Sequence, residues 1–516
     1  MQKLNRCFYV LCEIACIALA VVMAFFIATN NSPLFLEIGA DNAIFLTVGK
    51  AITQGWVPYV DIVENKGPVL FLLNALPQFF MDGTLGVFII EALMMVGATL
   101  LILNMARKLQ GEKKSALCAV APVGAYFATL TNSINSGNFG EEYNLFLLVV
   151  GLWALVRALT GAKKRQWASP FLMGLATATI ALIKVSDAPA SCVIILFYLI
   201  WMALEKRSFW KDFFAFVAGA ALISVPVFIY LGVNGAIGPM FEEYILSNFS
   251  HVGGAEELGF VEARLAMIAE GNYYVKMSVE PLYGTLIAAV IALVCWLLGG
   301  REKEGHPLLL ICFAVVFSCA CFADAYVSLT GYGQHLIPLS AAHAMNALLA
   351  TCAVYRLISR KTDAFSIPMG LLGILVAVLL INHFSIFSFQ PKPYADSEQM
   401  QQEADYQREF YDYFDLEAEE TVFCIGVPRR FYVYNDVLPA YKCINLVNYI
   451  YNNVGENRAE DFEAYLMENP ITWLVVEGTL ERYRGILTDG TIDFINENYI
   501  LYTSDESETR ELYRLI

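Results

Sequence analysis

Long apolar runs set the terms for this chain. A helix needs about 20 predominantly apolar residues to cross a hydrocarbon core of ~30 Å. Such runs recur near 8–29, 85–106, 116–131, 142–158, 168–184, 188–204, 212–232, 281–299, 307–323, 336–356 and 364–387, the third and fourth being short. Of the 516 residues, 58% are hydrophobic and 16% charged, where a soluble domain is about half apolar and a quarter charged. The expected fold class is therefore a polytopic α-helical membrane protein of about 11 spans. The first run is too long for the apolar part of a signal peptide. The segment ATNNSPLFLEIG at its exit has no small-x-small cleavage site, so the run reads as a retained span.

Charge then orients the spans. Lys3/Arg6, Arg107/Lys108/Lys113/Lys114, Lys163/Lys164/Arg165, Lys206/Arg207/Lys211, Arg301/Lys303 and Arg356/Arg360/Lys361 all fall on one side of this span set. The positive-inside rule makes that side cytoplasmic. Counting the apolar run 69–80 as a span would push every later basic cluster outside, and it is about a dozen residues long. It reads instead as a re-entrant or interfacial helix, so that 30–84 becomes one extracytoplasmic loop. Within this loop Ile44, Phe45, Val48 and Ile52 repeat at helical spacing, which predicts a helix with one apolar face. Asp41 stands at its start, where the helix dipole favours an ionised carboxylate.

The remaining outer loops are polar. Residues 132–142 (NSINSGNFGEE) end in Glu141 and Glu142, and 233–280 carry Glu242, Glu243, His251, Arg264 and Lys276. Residues 324–335 (DAYVSLTGYGQH) lead into the tenth span. The chain divides into a membrane domain, 1–387, and a C-terminal part, 388–516, extracytoplasmic by parity. In the latter a polar helical run, 397–417, precedes strand-like runs at 421–427, 441–447, 472–477, 499–503 and 511–516. Helical stretches at 459–468 and 480–487 alternate with these, as in a small α/β domain. The formal charge of −16 is concentrated in the loops and this domain, and does not call for a charged partner. Of the twelve cysteines only Cys424 and Cys443 lie away from apolar runs, where a disulfide and two core thiols are both open.

No Walker loop, GxGxxG, CxxC or HExxH motif is present, and the five histidines are scattered, which argues against a histidine-rich metal site. What remains is a set of ionisable groups at the outer membrane boundary, where such residues usually mark function. These are Asp41, then Gly55-Trp56-Val57-Pro58-Tyr59-Val60-Asp61, then Lys66-Gly67-Pro68, with Glu64 between them. The pattern resembles polytopic glycosyltransferases of the GT-C fold, specifically the bacterial branch related to protein O-mannosyltransferases and lipid A aminoarabinose transferases. Many relatives have Lys-Pro-Pro where this chain has Lys66-Gly67-Pro68.

The resemblance implies transfer of a sugar from a polyprenyl-phosphate donor to a lipid, protein or cell-wall glycan acceptor at the outer face. It implies inversion at the anomeric carbon, with Asp41 as general base. The bland alternative for Asp41 is a helix cap. Lys66 would hold the departing phosphate, or otherwise reach ordinary headgroups. Asp61 would assist the base, orient Lys66 or hold a turn. One of Glu141 and Glu142 would line the sugar or acceptor site, the pair being otherwise solvated caps. Lys184 would pair with Asp187 or bind phosphate, and Arg264 and His335 are further phosphate-binding candidates. A divalent metal ion is compatible with the acidic outer face but not required by it. No nucleic-acid partner is expected.

Two rival classes carry their own signatures. A lipid-linked sugar flippase or other transporter would show ionisable residues at mid-span, broken helices and internal repeats; here charges gather at one face and no repeat is found. A polysaccharide polymerase or ligase would place its key residues in a later, longer loop, for which 233–280 is the candidate.

Overall fold

The computed structural model describes residues 2–34, 38–81, 83–110, 115–133, 137–161, 167–248, 262, 273–298, 306–326, 333–359, 373, 420–426, 430–451, 457–504 and 510–516. In chain order the helices are α1 (Gln2–Ile27), α2 (Ala40–Thr53), α3 (Pro68–Gln78), α4 (Leu85–Gln110), α5 (Ser115–Ser133), α6 (Gly140–Leu159), α7 (Ala168–Ile183), α8 (Ala188–Leu204), α9 (Phe209–Val233), α10 (Ile237–Met240), α11 (Tyr273–Leu298), α12 (Pro307–Ala325), α13 (Leu339–Ser359), α14 (Arg430–Tyr434), α15 (Leu446–Tyr451), α16 (Arg458–Glu468) and α17 (Asp489–Asn498). The strands are β1 (Val422–Ile425), β2 (Trp473–Glu477), β3 (Tyr499–Ser504) and β4 (Arg510–Leu515).

The chain forms two compact units. One comprises Met1–Leu34, Phe88–Val227 and Glu256–Pro393; the other Phe35–Val87, Phe228–Ala255 and Tyr394–Ile516. The first outer loop and the segment after α9 group with the C-terminal domain, because α2 packs on α14 and the 62–66 stretch pairs with the chain at Cys443.

The first unit is a helical bundle. Each expected span from 8–29 to 336–356 falls on a helix, and 364–387 lies outside the described residues. Among the described residues, seven helices are long and apolar enough to cross a membrane. Ala116–Thr131, Ala168–Ile183 and Leu282–Leu298 are shorter apolar helices. Burial separates centre from flank: 78% of the apolar window in Gly333–Ile358 is buried but only 17% of that in Phe209–Val233. On α9 the exposed Leu222, Val225 and Ile229 are what a lipid-facing helix presents.

In the second unit α2 and α3 have 14 and 11 residues, about 21 and 17 Å at 1.5 Å per residue, too short to cross. The reading of 69–80 as a non-crossing helix agrees with this. The expected single apolar face of α2 does not: Asn42 to Gly49 are buried without interruption. The cause is packing on both sides, by α3 and by α14, with Ile38, Ala43, Leu46 and Val87 forming a local core against Val433. Close approach also needs a bare backbone at Gly49, where a Cβ would lie 2.7 Å from the Asn74 carbonyl carbon.

The C-terminal sheet has the order β1-β2-β4-β3, with β1 and β2 parallel and the other pairs antiparallel. Val422–Ile425 is buried throughout, as the continuous apolar run VFCI requires of a covered parallel strand. Phe423, Ile425, Leu474 and Val476 meet Phe462 and Ile492 in the core. Two sequence expectations change here. The run 441–447 is not a sheet strand: Cys443 makes an isolated bridge to Val63, and α15 begins at Leu446. The stretch 480–487 is a 3-10 turn (Leu480–Tyr483) rather than a helix. Cys424 and Cys443 are both buried and are not joined in a disulfide, and the run 397–417 lies outside the described residues.

Candidate functional site

Asp41 lies in the first turn of α2, half-buried. The N-cap position is Gly39, which has no side chain to cap with. Asp41 is therefore not the cap itself but lies within the first turn of the helix. The helix is anchored at its other end by an ion pair between Lys50 and Asp436, and Gln78 Nε2 donates to Leu46 O at 3.0 Å.

The segment from Val57 to Lys66 is a turn fixed by its own polar groups. Asp61 is exposed and its Oδ2 accepts from Val57 N at 2.7 Å. This bond closes the turn that leads towards Lys66. Tyr59 takes a left-handed backbone (φ 69°). Its buried hydroxyl, which burial keeps protonated well above the usual tyrosine range, donates to Lys66 O at 2.6 Å. Lys66 Nζ donates to Asn65 Oδ1 at 2.7 Å and stands 3.9 Å from Glu64 Oε1, with its side chain 31% exposed. Gly67 caps α3 with φ −73° and Pro68 opens the helix. That φ is the value a proline ring imposes, so glycine in place of the commoner proline does not demand a different backbone path.

In the bundle unit a second group of charges is assembled from distant segments. Glu141 begins α6, Lys184 is the extended residue between α7 and the turn Val185–Asp187, and His335 lies on the 3-10 turn Gly333–Leu336. Lys184 forms an ion pair with Glu141, lies 3.2 Å from His335 Nδ1 and 3.9 Å from Asp187 Oδ1. His335 Nδ1 is also 3.3 Å from Glu141 Oε1. This nitrogen can accept from the ammonium or donate to the carboxylate, but not both at once. Asp187 is held instead by Asn144 Nδ2 at 2.8 Å. Sequence proximity pointed to Asp187 as the partner of Lys184, and the structure makes Glu141 the closer one.

Glu142 turns away from this cluster. Its Oε2 accepts from Phe139 N at 2.9 Å, closing the cap of its own helix. Nearby, Glu91 accepts from Asn31 Nδ2 at 3.0 Å and from Asn138 N at 2.5 Å, while Tyr143 OH donates to Asn138 Oδ1 at 2.6 Å. Gly137 belongs to the same junction: at φ 91°, any Cβ there would meet Ala28 Cα at 2.9 Å. Adjacent glutamates therefore have separate surroundings, one among cations and one in a loop-holding network.

Sequence reasoning passed over three of these groups. Glu91 is a buried acid inside a span, a signal that was present in the sequence. Asn144 lies one helical turn after Glu141. Asp324, in the last turn of α12, is near enough to feel Asp187, Lys184 and Glu141, and neither carboxyl oxygen has a hydrogen-bond partner among the described residues. Arg264 and His251 lie outside the described residues. Among the described residues no group of three or more His, Cys, Asp or Glu is arranged to hold a metal ion.

Comparison with known proteins gives these arrangements a context. A family model described as dolichyl-phosphate-mannose-protein mannosyltransferase matches residues 65–230, taking in Lys66, Glu141, Glu142 and Lys184 but not Asp41 or Asp61. Crystal structures of ArnT from Cupriavidus metallidurans are similar along 97% of both chains. The apo form has TM-score 0.59 at 13% identity, and the form bound to undecaprenyl phosphate 0.57 at 15%. The oligosaccharyltransferase of Archaeoglobus fulgidus, in complex with Zn and sulfate, gives TM-score 0.51 at 16% identity over 97% of this chain and 73% of that one. No curated protein matches. Likeness at such identities is likeness of fold. The chain has the GT-C fold, a multi-pass helical membrane architecture with a small C-terminal sheet domain.

Proposed function

We propose that this chain is a glycosyltransferase that moves one sugar from a polyprenyl-phosphate donor to an acceptor on the outer face of the cell membrane. The observation that carries the reading is fold likeness along nearly the whole chain to an ArnT structure that holds undecaprenyl phosphate. In this reading the N-terminus is cytoplasmic and the C-terminal domain lies outside.

The reaction is a single displacement. The acceptor hydroxyl attacks the anomeric carbon, its proton passes to Asp41, and the bond from that carbon to the phosphate oxygen breaks. Polyprenyl phosphate leaves with negative charge developing on its oxygens. Asp41 suits the base because it is a half-buried carboxylate group in the first turn of α2, and general-base help is worth about 10²–10⁴-fold. Lys66 suits the phosphate because its ion-pair partner among the described residues, Glu64, stands 3.9 Å off and its side chain is 31% exposed. Of the two glutamates, Glu141, oriented by Lys184 and His335, is proposed to line the sugar site, while Glu142 caps α6. The acceptor is a lipid, a protein or a cell-wall glycan.

The test is transfer from a panel of radiolabelled polyprenyl-phosphate sugars to membrane acceptors, comparing wild type with Asp41→Asn. The expected result is transfer from one donor, reduced at least a hundredfold in the variant. Full activity in Asp41→Asn removes that residue as base. No transfer from any donor by the wild type removes the reaction class.

A further inference from the structure

Lys66 is held on both sides by residues that do not touch it through its ammonium group. On one side Tyr59 OH fixes the carbonyl of Lys66 itself at 2.6 Å. On the other, Asn248 Nδ2 donates to the carbonyl of Asn65 at 2.7 Å, fixing the peptide that leads into Lys66. The side chain of Asn65 then accepts from Lys66 Nζ. Asn248 is distant in sequence and belongs to the segment after α9.

That segment is tied to the C-terminal domain. Asn248 Nδ2 also donates to Tyr244 O at 2.7 Å, in the π-helical turn Phe241–Leu246, a kind of turn frequent at functional sites. In the same turn Glu243 accepts from Arg458 Nη2 at 2.6 Å. Arg458 is buried at the start of α16, donates to Tyr449 O at 2.9 Å and stacks 4.2 Å from the Tyr449 ring. A second tie runs directly to the loop, where Val63 N donates to Lys442 O at 2.6 Å. Every one of these residues lies in the same compact unit.

We infer that Asn248 is a positioning residue for Lys66, and that the Arg458–Glu243 pair is the anchor through which the C-terminal domain holds it there. The inference rests on the reading of Lys66 as the cation that binds the carrier phosphate. A lysine loses much rotamer freedom when it binds, and fixing the peptides on either side reduces what must be ordered at that moment. The C-terminal domain in this account is neither a lid nor an acceptor hook but a brace for the phosphate site.

The test is a double-mutant cycle on binding of undecaprenyl phosphate to the full chain in nanodiscs, using Asn248→Ala, Lys66→Met and the double variant. Thermal unfolding of each confirms that the fold is kept. Should Asn248→Ala fail to fold, Asn248→Ser, too short to reach Asn65, gives the same cycle. The expected result is about fivefold weaker binding for Asn248→Ala in the wild-type background, and less than twofold in the Lys66→Met background, because the residue acts through Lys66. Equal weakening in both backgrounds, or none in either, overturns the inference. Binding unaffected by Lys66→Met overturns the phosphate reading of Lys66 and this inference with it. Binding weakened by Lys66→Met but untouched by Asn248→Ala overturns the inference alone.

Discussion

The bundle unit and the loop unit handle lysines in opposite ways. Lys184 is compensated at close range by Glu141, with His335 and Asp187 beside it, and its side chain is only 16% exposed. Lys66 is 31% exposed, leans on a neutral asparagine and has its backbone, rather than its charge, fixed by other residues. A buried lysine with a close carboxylate is a structural ion pair whose loss leaves an uncompensated charge. A braced lysine whose ammonium is bonded to a neutral side chain and is more exposed is the one suited to a ligand. The sequence contains both as a lysine near an acid at the end of an apolar run, and only the surroundings separate them.

Lys184→Met is the variant that strains the contrast most. It leaves Glu141 buried without its ammonium partner and should cost about 3–5 kcal/mol, read as a large fall in thermal stability. Lys66→Met should cost under about 1 kcal/mol by the same measurement while weakening carrier binding. Equal destabilisation by the two would erase the distinction. Gly49→Ala comes next, since the added Cβ would sit 2.7 Å from the Asn74 carbonyl carbon. The expected cost of that overpacking is about 1–3 kcal/mol, and a neutral result would mean that α2 and α3 are not in close contact. Glu142→Ala should remove about 1 kcal/mol of cap energy with transfer little changed, whereas Glu141→Gln should depress transfer more than stability. The smallest effect belongs to Asp61→Asn, which weakens the bond from Val57 N by about 0.5–1.5 kcal/mol. Transfer within twofold of wild type marks Asp61 as a turn residue; a loss as deep as that of Asp41→Asn would make it part of the base.

What the sequence revealed follows from the range of the interactions. Span placement and the short α3 depend on local apolar length, and both were legible. So were β1 and β2, whose continuous apolar runs report burial. The run 441–447 looked like a strand because its apolar residues fit one, but Val63 takes the pairing at Cys443, and nothing local announces that. Long-range pairing hid the ion pairs as well. Asp187 is next to Lys184 in the chain, yet Glu141, 43 residues away, is its near partner. Glu141 and Glu142 face about 100° apart around the helix, and what each meets depends on neighbours from α4 and the 333–336 turn. The anchor at Arg458 was invisible for the same reason.

The account stands or falls on a division of labour between base and phosphate site, and one measurement addresses it directly. Undecaprenyl-phosphate binding and single-turnover sugar transfer would be followed together in reconstituted vesicles for wild type, Asp41→Asn and Lys66→Met, with the active donor. The account predicts that Asp41→Asn binds the carrier within twofold of wild type but transfers at least a hundredfold more slowly, while Lys66→Met binds it more weakly. Undiminished transfer by Asp41→Asn would contradict it.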